Sequence, residues 1–324
     1  MFKKILAVFL LWLSFVQPVF AISNQLTKEI DNNVQEYVDA VFSANGSDIF
    51  LLVSAIATFL FFMVIVGEII KFVMGNADWV ATFTAVILFI ATLALIASYG
   101  PFTYVIKGAF EDIGNVFQFL IVGSKDKMFL SDFIDRTINQ AVQAPDVGFT
   151  DTIWMWAVTI IWAVVSLLLQ IAFYLADVFV TLGYSLSRMI GVLFIPFLVA
   201  PWTRKIFDGW VRFYIGWGVC AILLRLTSLL SMLVMKATIN AAGKFENPAS
   251  TMIDGNFNIT APLVITDENM SLLWAIIVFG IISCIMIFSS FSFAKMLCSG
   301  VGSASNGATN MAKSAAVKAV TVIL

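Results

Sequence analysis

The chain has 324 residues, 61% of them hydrophobic and 12% charged, with a formal net charge of −2 and a mean hydropathy of +0.99. Soluble globular domains run at about 45–50% apolar and about 25% charged residues, so a water-facing protein with one ordinary core is excluded. The slight acidity offers no basic field for nucleic acid. The absence of histidine removes Ser-His and Cys-His nucleophile activation, HExxH zinc chemistry and most proton relays together.

Residues 1–21 read as a signal peptide: Lys3 and Lys4, an apolar stretch from Ile5 to Val16, then Val19-Phe20-Ala21 with small residues suited to cleavage before Ile22. An uncleaved first span is the alternative; either way residue 22 lies outside the cytoplasm. The next segment, 22–48, contains an acidic amphipathic helix. Ile30, Val34, Tyr37, Val38, Val41 and Phe42 fall at helical spacing, with Glu29, Asp31, Glu36 and Asp39 elsewhere. Its place is on the membrane or against a partner.

A transmembrane hairpin follows at 49–99: Ile49 to Ile70, a turn at Gly75-Asn76-Ala77-Asp78, then Trp79 to Tyr99, closed by the breaker pair Gly100-Pro101. Residues 100–152 carry two amphipathic stripes, one of Val105, Ile106, Ala109, Phe110, Ile113, Val116, Phe117, Leu120 and Ile121. The other has Phe129, Leu130, Phe133, Ile134, Ile138, Ala141 and Val142. Such helices lie in the membrane interface or pack on other subunits. Gly123-Ser124-Lys125 between them lacks the first glycine and the setting of a phosphate loop.

The region 153–294 holds the remaining spans. Its first block, Ile153 to Ala200, accommodates two spans, or one long span with a re-entrant part. Asp177 and Arg188 interrupt it, and Pro196 and Pro201 break its end. Trp210 to Met235 is the next span, residues 236–270 form a polar periplasmic loop, and Ser271 to Ala294 is the last. Residues 295–324 make a cytoplasmic tail rich in Gly, Ser and Ala.

The positive-inside rule decides the block. A single crossing keeps Lys71, Arg204, Lys205, Arg212, Lys295, Lys313 and Lys318 inside, whereas a double crossing keeps Lys71, Lys236 and Lys244. The larger set favours an odd number of crossings, hence five mature spans, with the amino terminus and 100–152 periplasmic and the carboxyl terminus cytoplasmic. The fold class is all-α, polytopic, with additional amphipathic interfacial helices, in a bacterial inner membrane.

Arg225 lies deep in its span, where an arginine costs about 2.5–3.5 kcal/mol on insertion scales. It faces a pore or another subunit in one reading, and forms a structural ion pair or snorkels to headgroups in the other. Asp177 and Arg188 stand about 16 Å apart along a straight helix and cannot pair directly. Asp177 with Arg225 across helices is the alternative pair. Cys220, Cys284 and Cys298 have no metal or redox spacing and read as small buried hydrophobes. No catalytic, cofactor-binding or metal residue is expected, and no enzyme activity.

The most distinctive run is Pro196-Phe197-Leu198-Val199-Ala200-Pro201-Trp202-Thr203-Arg204-Lys205-Ile206-Phe207-Asp208-Gly209-Trp210. Prolines end an apolar segment, a basic turn follows, and Asp208 is placed to cap the helix that Gly209 and Trp210 enter. Trp202, Trp210, Phe213, Tyr214 and Trp217 suit the headgroup belt.

With the signal-like start, the long periplasmic centre and the glycine-serine tail, this Thr203-Arg204…Phe207-Asp208-Gly209-Trp210 motif resembles the TrbL-type polytopic inner-membrane subunits of type IV secretion and conjugation machines. The resemblance covers most of residues 22–310, and its mapped residues are 203–210. It implies a channel or scaffold subunit forming a homo-oligomeric ring, active in substrate passage and pilus assembly. The implied partners are a periplasmic pilus-base protein, ATPases, the lipid bilayer, and DNA or protein in passage. The tail is shorter than in many relatives. A solute transporter or permease is the alternative reading, with Asp177, Arg188 and Arg225 as its site, but no second half matches residues 49–99 as an internal repeat would require.

Overall fold

The computed structural model describes residues 29–30, 32–41, 48–76, 78–126, 129–130, 133–134, 142–143, 149–242, 244–245, 259–261, 263–264 and 270–299. It also describes 310–311, 313–314, 317–318 and 321. The expected signal segment, Phe42, Ile138, Ala141, most of the 236–270 loop and the Gly/Ser stretch of the tail lie outside these residues.

Helices dominate. They are α1 (32–41), α2 (Asp48–Val73), α3 (Trp79–Ala97), α4 (Tyr99–Val122), α5 (Phe149–Gly191), α6 (Arg204–Ala242) and α7 (Met270–Ser299), with one 3-10 turn at Ile195–Leu198. Among the described residues five helical stretches are long and apolar enough to cross a membrane: Asp48–Val73, Trp79–Ala97, Ile160–Gly191, Arg204–Thr238 and Trp274–Ser299. The all-α polytopic expectation holds. In an apolar medium a hydroxyl needs a local acceptor. Thr92 donates to Leu88 O at 2.7 Å, Ser228 to Leu224 O at 2.7 Å and Ser231 to Thr227 O at 2.8 Å. Each uses the carbonyl one turn back.

In the block 153–200 one long helix forms, the second of the two readings: α5 runs to Gly191 and stops before either proline. Ile195 precedes a proline and is therefore pushed out of α geometry, so the chain tightens into the 3-10 turn with proline at its start. Two boundaries differ from the sequence expectation. Gly100-Pro101 breaks nothing: Ser98 closes α3, and α4 starts at Tyr99 with Pro101 in its first turn, where a missing N–H is harmless. Val142 belongs to a strand, β1 (Val142–Gln143), rather than to a second amphipathic helix.

The chain forms two compact units, which cut across the linear segments read from the sequence. One gathers Val34–Phe110, Leu182–Val219 and Ala294–Leu324. Here α2 and α3 make an antiparallel hairpin, with Phe61 stacked on Phe89 at 4.3 Å between centroids. Its turn uses Gly75 at φ 79°, a value L-residues rarely adopt. The 3-10 segment packs against both helices. Val199 and Ala200 are fully buried among Leu60, Val64 and Ala85, while Val192, Ile195 and Leu198 join Val53, Ala57, Leu88 and Ile96.

The other unit includes Glu111–Thr181 and Cys220–Phe293. Phe129 packs edge-on against Phe173 at 6.5 Å, and Phe179 against Phe291 at 5.5 Å. Leu130, Phe133 and Ile134 are buried, so the second predicted stripe does face protein where it is described. Among the described residues, four strands of two or three residues close this unit. β1 pairs in parallel with β4 (Leu263–Val264), and β2 (Lys244–Phe245) pairs antiparallel with β3 (Ile259–Ala261). The pairing of residues 142–143 with 263–264 ties the segment before α5 to the segment after α6.

Candidate functional site

In the first unit the predicted charge Arg188 is the hub. It stands in the last turn of α5, its side chain only 7% exposed. Nε donates to Thr103 Oγ1 at 2.9 Å, and Nη1 meets Asp39 Oδ1 at 2.9 Å. Asp39 comes from α1, so the acidic N-terminal helix has its partner within the chain. Val38 beside it is buried and Tyr37 points outward.

A belt of aromatic donors surrounds the hub. Tyr99 Oη donates to the carbonyl of Arg188, Trp210 Nε1 to that of Ser187 at 2.9 Å, and Tyr214 Oη to that of Thr103 at 2.7 Å. Tyr184 Oη donates to Tyr214 Oη. Burial, and next the neighbouring Tyr214, hold the Tyr99 phenol well above the usual tyrosine range, Arg188 acting in the opposite sense. It therefore stays a hydrogen-bond donor at any physiological pH.

The motif turn closes the same unit. Thr203 Oγ1 donates to Phe197 O at 2.9 Å and Ala200 O at 3.0 Å, and Arg204 Nε to Leu198 O at 3.1 Å. Pro196 and Pro201 lack the N–H groups that would have bonded carbonyls here, and these two side chains supply replacements. Phe207 and Trp210 are buried, their rings 5.8 Å apart. Asp208 is not a cap. α6 starts four residues earlier, at Arg204, because the tied turn presets its first residues, and Gly209 is tolerated inside the helix.

The second unit holds Arg225, half-buried in α6 and hydrogen-bonded through Nη1 to Asn115 Oδ1 of α4. The carboxylates of Glu111 and Asp177 are the opposite charges that act on it, so α4, α5 and α6 each contribute to one polar cluster. Gly114 makes the approach possible, since a Cβ there would stand 2.8 Å from Arg225 Cδ. Asp177 and Arg225 are thus brought into one neighbourhood, and Arg188 belongs to the other unit. Cys220 and Cys298 are buried and Cys284 is half-buried.

Asp39, Tyr99, Thr103, Tyr184 and Asn115 were not among the predicted site residues. A signal existed: Thr103, Gly114 and Gln118 are the buried face of α4, whereas Val105, Val116 and Leu120 of its apolar stripe are exposed. On this helix the polar face points into the protein and the apolar stripe outward, the reverse of a helix on a water-facing domain.

No curated protein matches the chain. A family model does: that of TrbL/VirB6 plasmid conjugal transfer protein matches residues 71–266, more than half the length, from the end of α2 through the strand region. The match contains the motif turn, Asp177, Arg188 and Arg225. The chain therefore belongs to the TrbL/VirB6 family and is a multi-pass membrane component of a conjugal transfer, type IV secretion, system.

Proposed function

We propose that the chain is the inner-membrane channel and scaffold subunit of such a system, assembling as a homo-oligomeric ring. In this reading it supports substrate translocation and pilus assembly with no covalent chemistry of its own. Its mature amino terminus is periplasmic and its carboxyl terminus cytoplasmic. It works beside a pilus-base protein and ATPases, and DNA or protein touches it only in passage.

What supports the reading is how the deep charges are engaged. Arg188 is closed off inside its own fold, which suits a scaffold. Arg225 is half-buried and shared among three helices, which suits a group beside a path or a neighbouring subunit. The family match supplies the machine.

The test is to isolate the tagged chain from its native membrane in mild detergent and identify what accompanies it. Secretion ATPases and pilus-base subunits are expected; a partnerless protein would overturn the assignment. In the same strain Arg225→Ala should lower transfer by roughly tenfold or more, equivalent to about 1.4 kcal/mol, with Arg225→Lys intermediate. Unchanged transfer in the alanine variant would remove Arg225 from the path or interface.

A further inference from the structure

The turn of the α2–α3 hairpin carries a cavity of about 210 Å3, lined by Ile65, Glu68, Ile69, Phe72, Asp78, Trp79 and Thr82. It lies wholly within one unit and takes no part in the Arg188 hub or the motif turn. Glu68 is the unusual member. Its side chain is 12% exposed; Oε1 accepts from Lys71 Nζ at 2.7 Å, while Oε2 is buried and accepts no hydrogen bond. A buried carboxylate oxygen without a donor is unfavourable, so this oxygen favours a further N–H partner. Asp78 adds a second carboxylate, with Oδ1 capping α3 through Ala81 N at 2.9 Å.

The chemistry of the occupant follows from what surrounds that oxygen. Two carboxylates against Lys71 leave a local charge of −1, which calls for a cation. The lone oxygen calls for an N–H donor, which a quaternary ammonium lacks. Phe72 and Trp79, edge to face at 5.9 Å, give a wall on which a cation rests favourably. Lys71, 56% exposed, stands ready for an anion beside the cation. Ile69 and Phe72 are more than half exposed and belong to the outer surface of a candidate span, so the cavity opens onto a surface that acyl chains cover. Tryptophan at this level is the usual interfacial anchor.

We infer that this cavity binds the headgroup of a zwitterionic amino-phospholipid. The primary ammonium sits between Glu68 and Asp78 against the Phe72–Trp79 wall, and the phosphate sits on Lys71. A lipid is favoured over a free amine because the apolar surface is continuous with the cavity, and over an anionic lipid because the cavity itself is negative.

The test uses the full-length protein in nanodiscs of ethanolamine, choline or glycerol phospholipid, with lipid retention followed by native mass spectrometry during delipidation. Ethanolamine lipid should be held about tenfold more tightly than either of the others, the equivalent of one charge-assisted hydrogen bond. Glu68→Gln should abolish the preference, and Asp78→Asn, which keeps the cap, should weaken it. Equal retention of the three lipids, or of ethanolamine lipid by Glu68→Gln and wild type, would refute the site. Displacement by a short lysine peptide as effective as lipid would assign the cavity to a protein ammonium instead and overturn the lipid claim. Should Glu68→Gln fail to fold, the wild-type protein still decides: brominated ethanolamine lipid must quench the fluorescence lost in Trp79→Phe more than brominated choline lipid does.

Discussion

Arg188 brings a full charge to a site where almost none of its side chain is exposed, yet its carboxylate partner Asp39 remains 52% exposed. The two ends of this pair are therefore unequal. Asp39→Ala strands a buried cation and should lower the melting temperature in detergent, by the equivalent of about 1–3 kcal/mol. Arg188→Met, which removes the charge and keeps apolar bulk, should cost less than the sum of its lost bonds suggests. If Asp39→Ala melts as wild type, α1 is not what neutralises Arg188. A charge inside an apolar run is plain in the sequence, so Arg188, Arg225 and Asp177 could be singled out from it. Their partners were not, because helical period fixes the face a side chain occupies and says nothing about which helix lies opposite. Thr103 and Asn115 sit on the polar face of α4, a face that a soluble rule assigns to water.

At the level of the element, the motif turn shows how two prolines are accommodated. The carbonyls of Phe197, Leu198 and Ala200 are met by Thr203 and Arg204, so the turn holds its shape through side chains. Arg204→Ala leaves the Leu198 carbonyl unanswered in a segment whose neighbours Val199 and Ala200 are completely buried. A loss of about 1–3 kcal/mol is expected, read as faster proteolysis near the turn; Arg204→Gln, still a donor, should recover part of it. Undiminished resistance in the alanine variant would mean that water replaces the guanidinium. Sequence reasoning marked these residues through the prolines and the motif but put the helix start too late. Asp208 and Gly209 look like an entry signal, and only the contacts of Thr203 reveal that the helix has already begun. The continuous α5 was one of two readings the sequence allowed, because its charges and length are equally consistent with a break.

On the scale of the whole molecule, an odd number of crossings in the 153–200 block is the expectation from the distribution of lysine and arginine, and the strand pairing gives a way to test it. Cysteines at Gln143 and Val264, opposite each other in β1 and β4, should cross-link under mild oxidation in native membranes. Their failure to do so, with each reactive to the same thiol reagent from opposite sides, would contradict the single crossing. What the sequence could not show was the grouping of distant segments into compact units, since apolar helices of similar composition give no indication of their neighbours.

The β1–β4 pairing has a consequence for how the protein is made. Residue 142 is synthesised well before residue 263, and domains form as their chain emerges, so β1 has no partner until α5 and α6 have both entered the membrane and the following loop is complete. Long-range pairings of this kind are the slow ones. The strand pair therefore acts as a closing step in biogenesis: a chain halted before Leu263 holds its first membrane helices, leaves β1 open, and stays recognisable as unfinished to whatever surveys nascent membrane proteins.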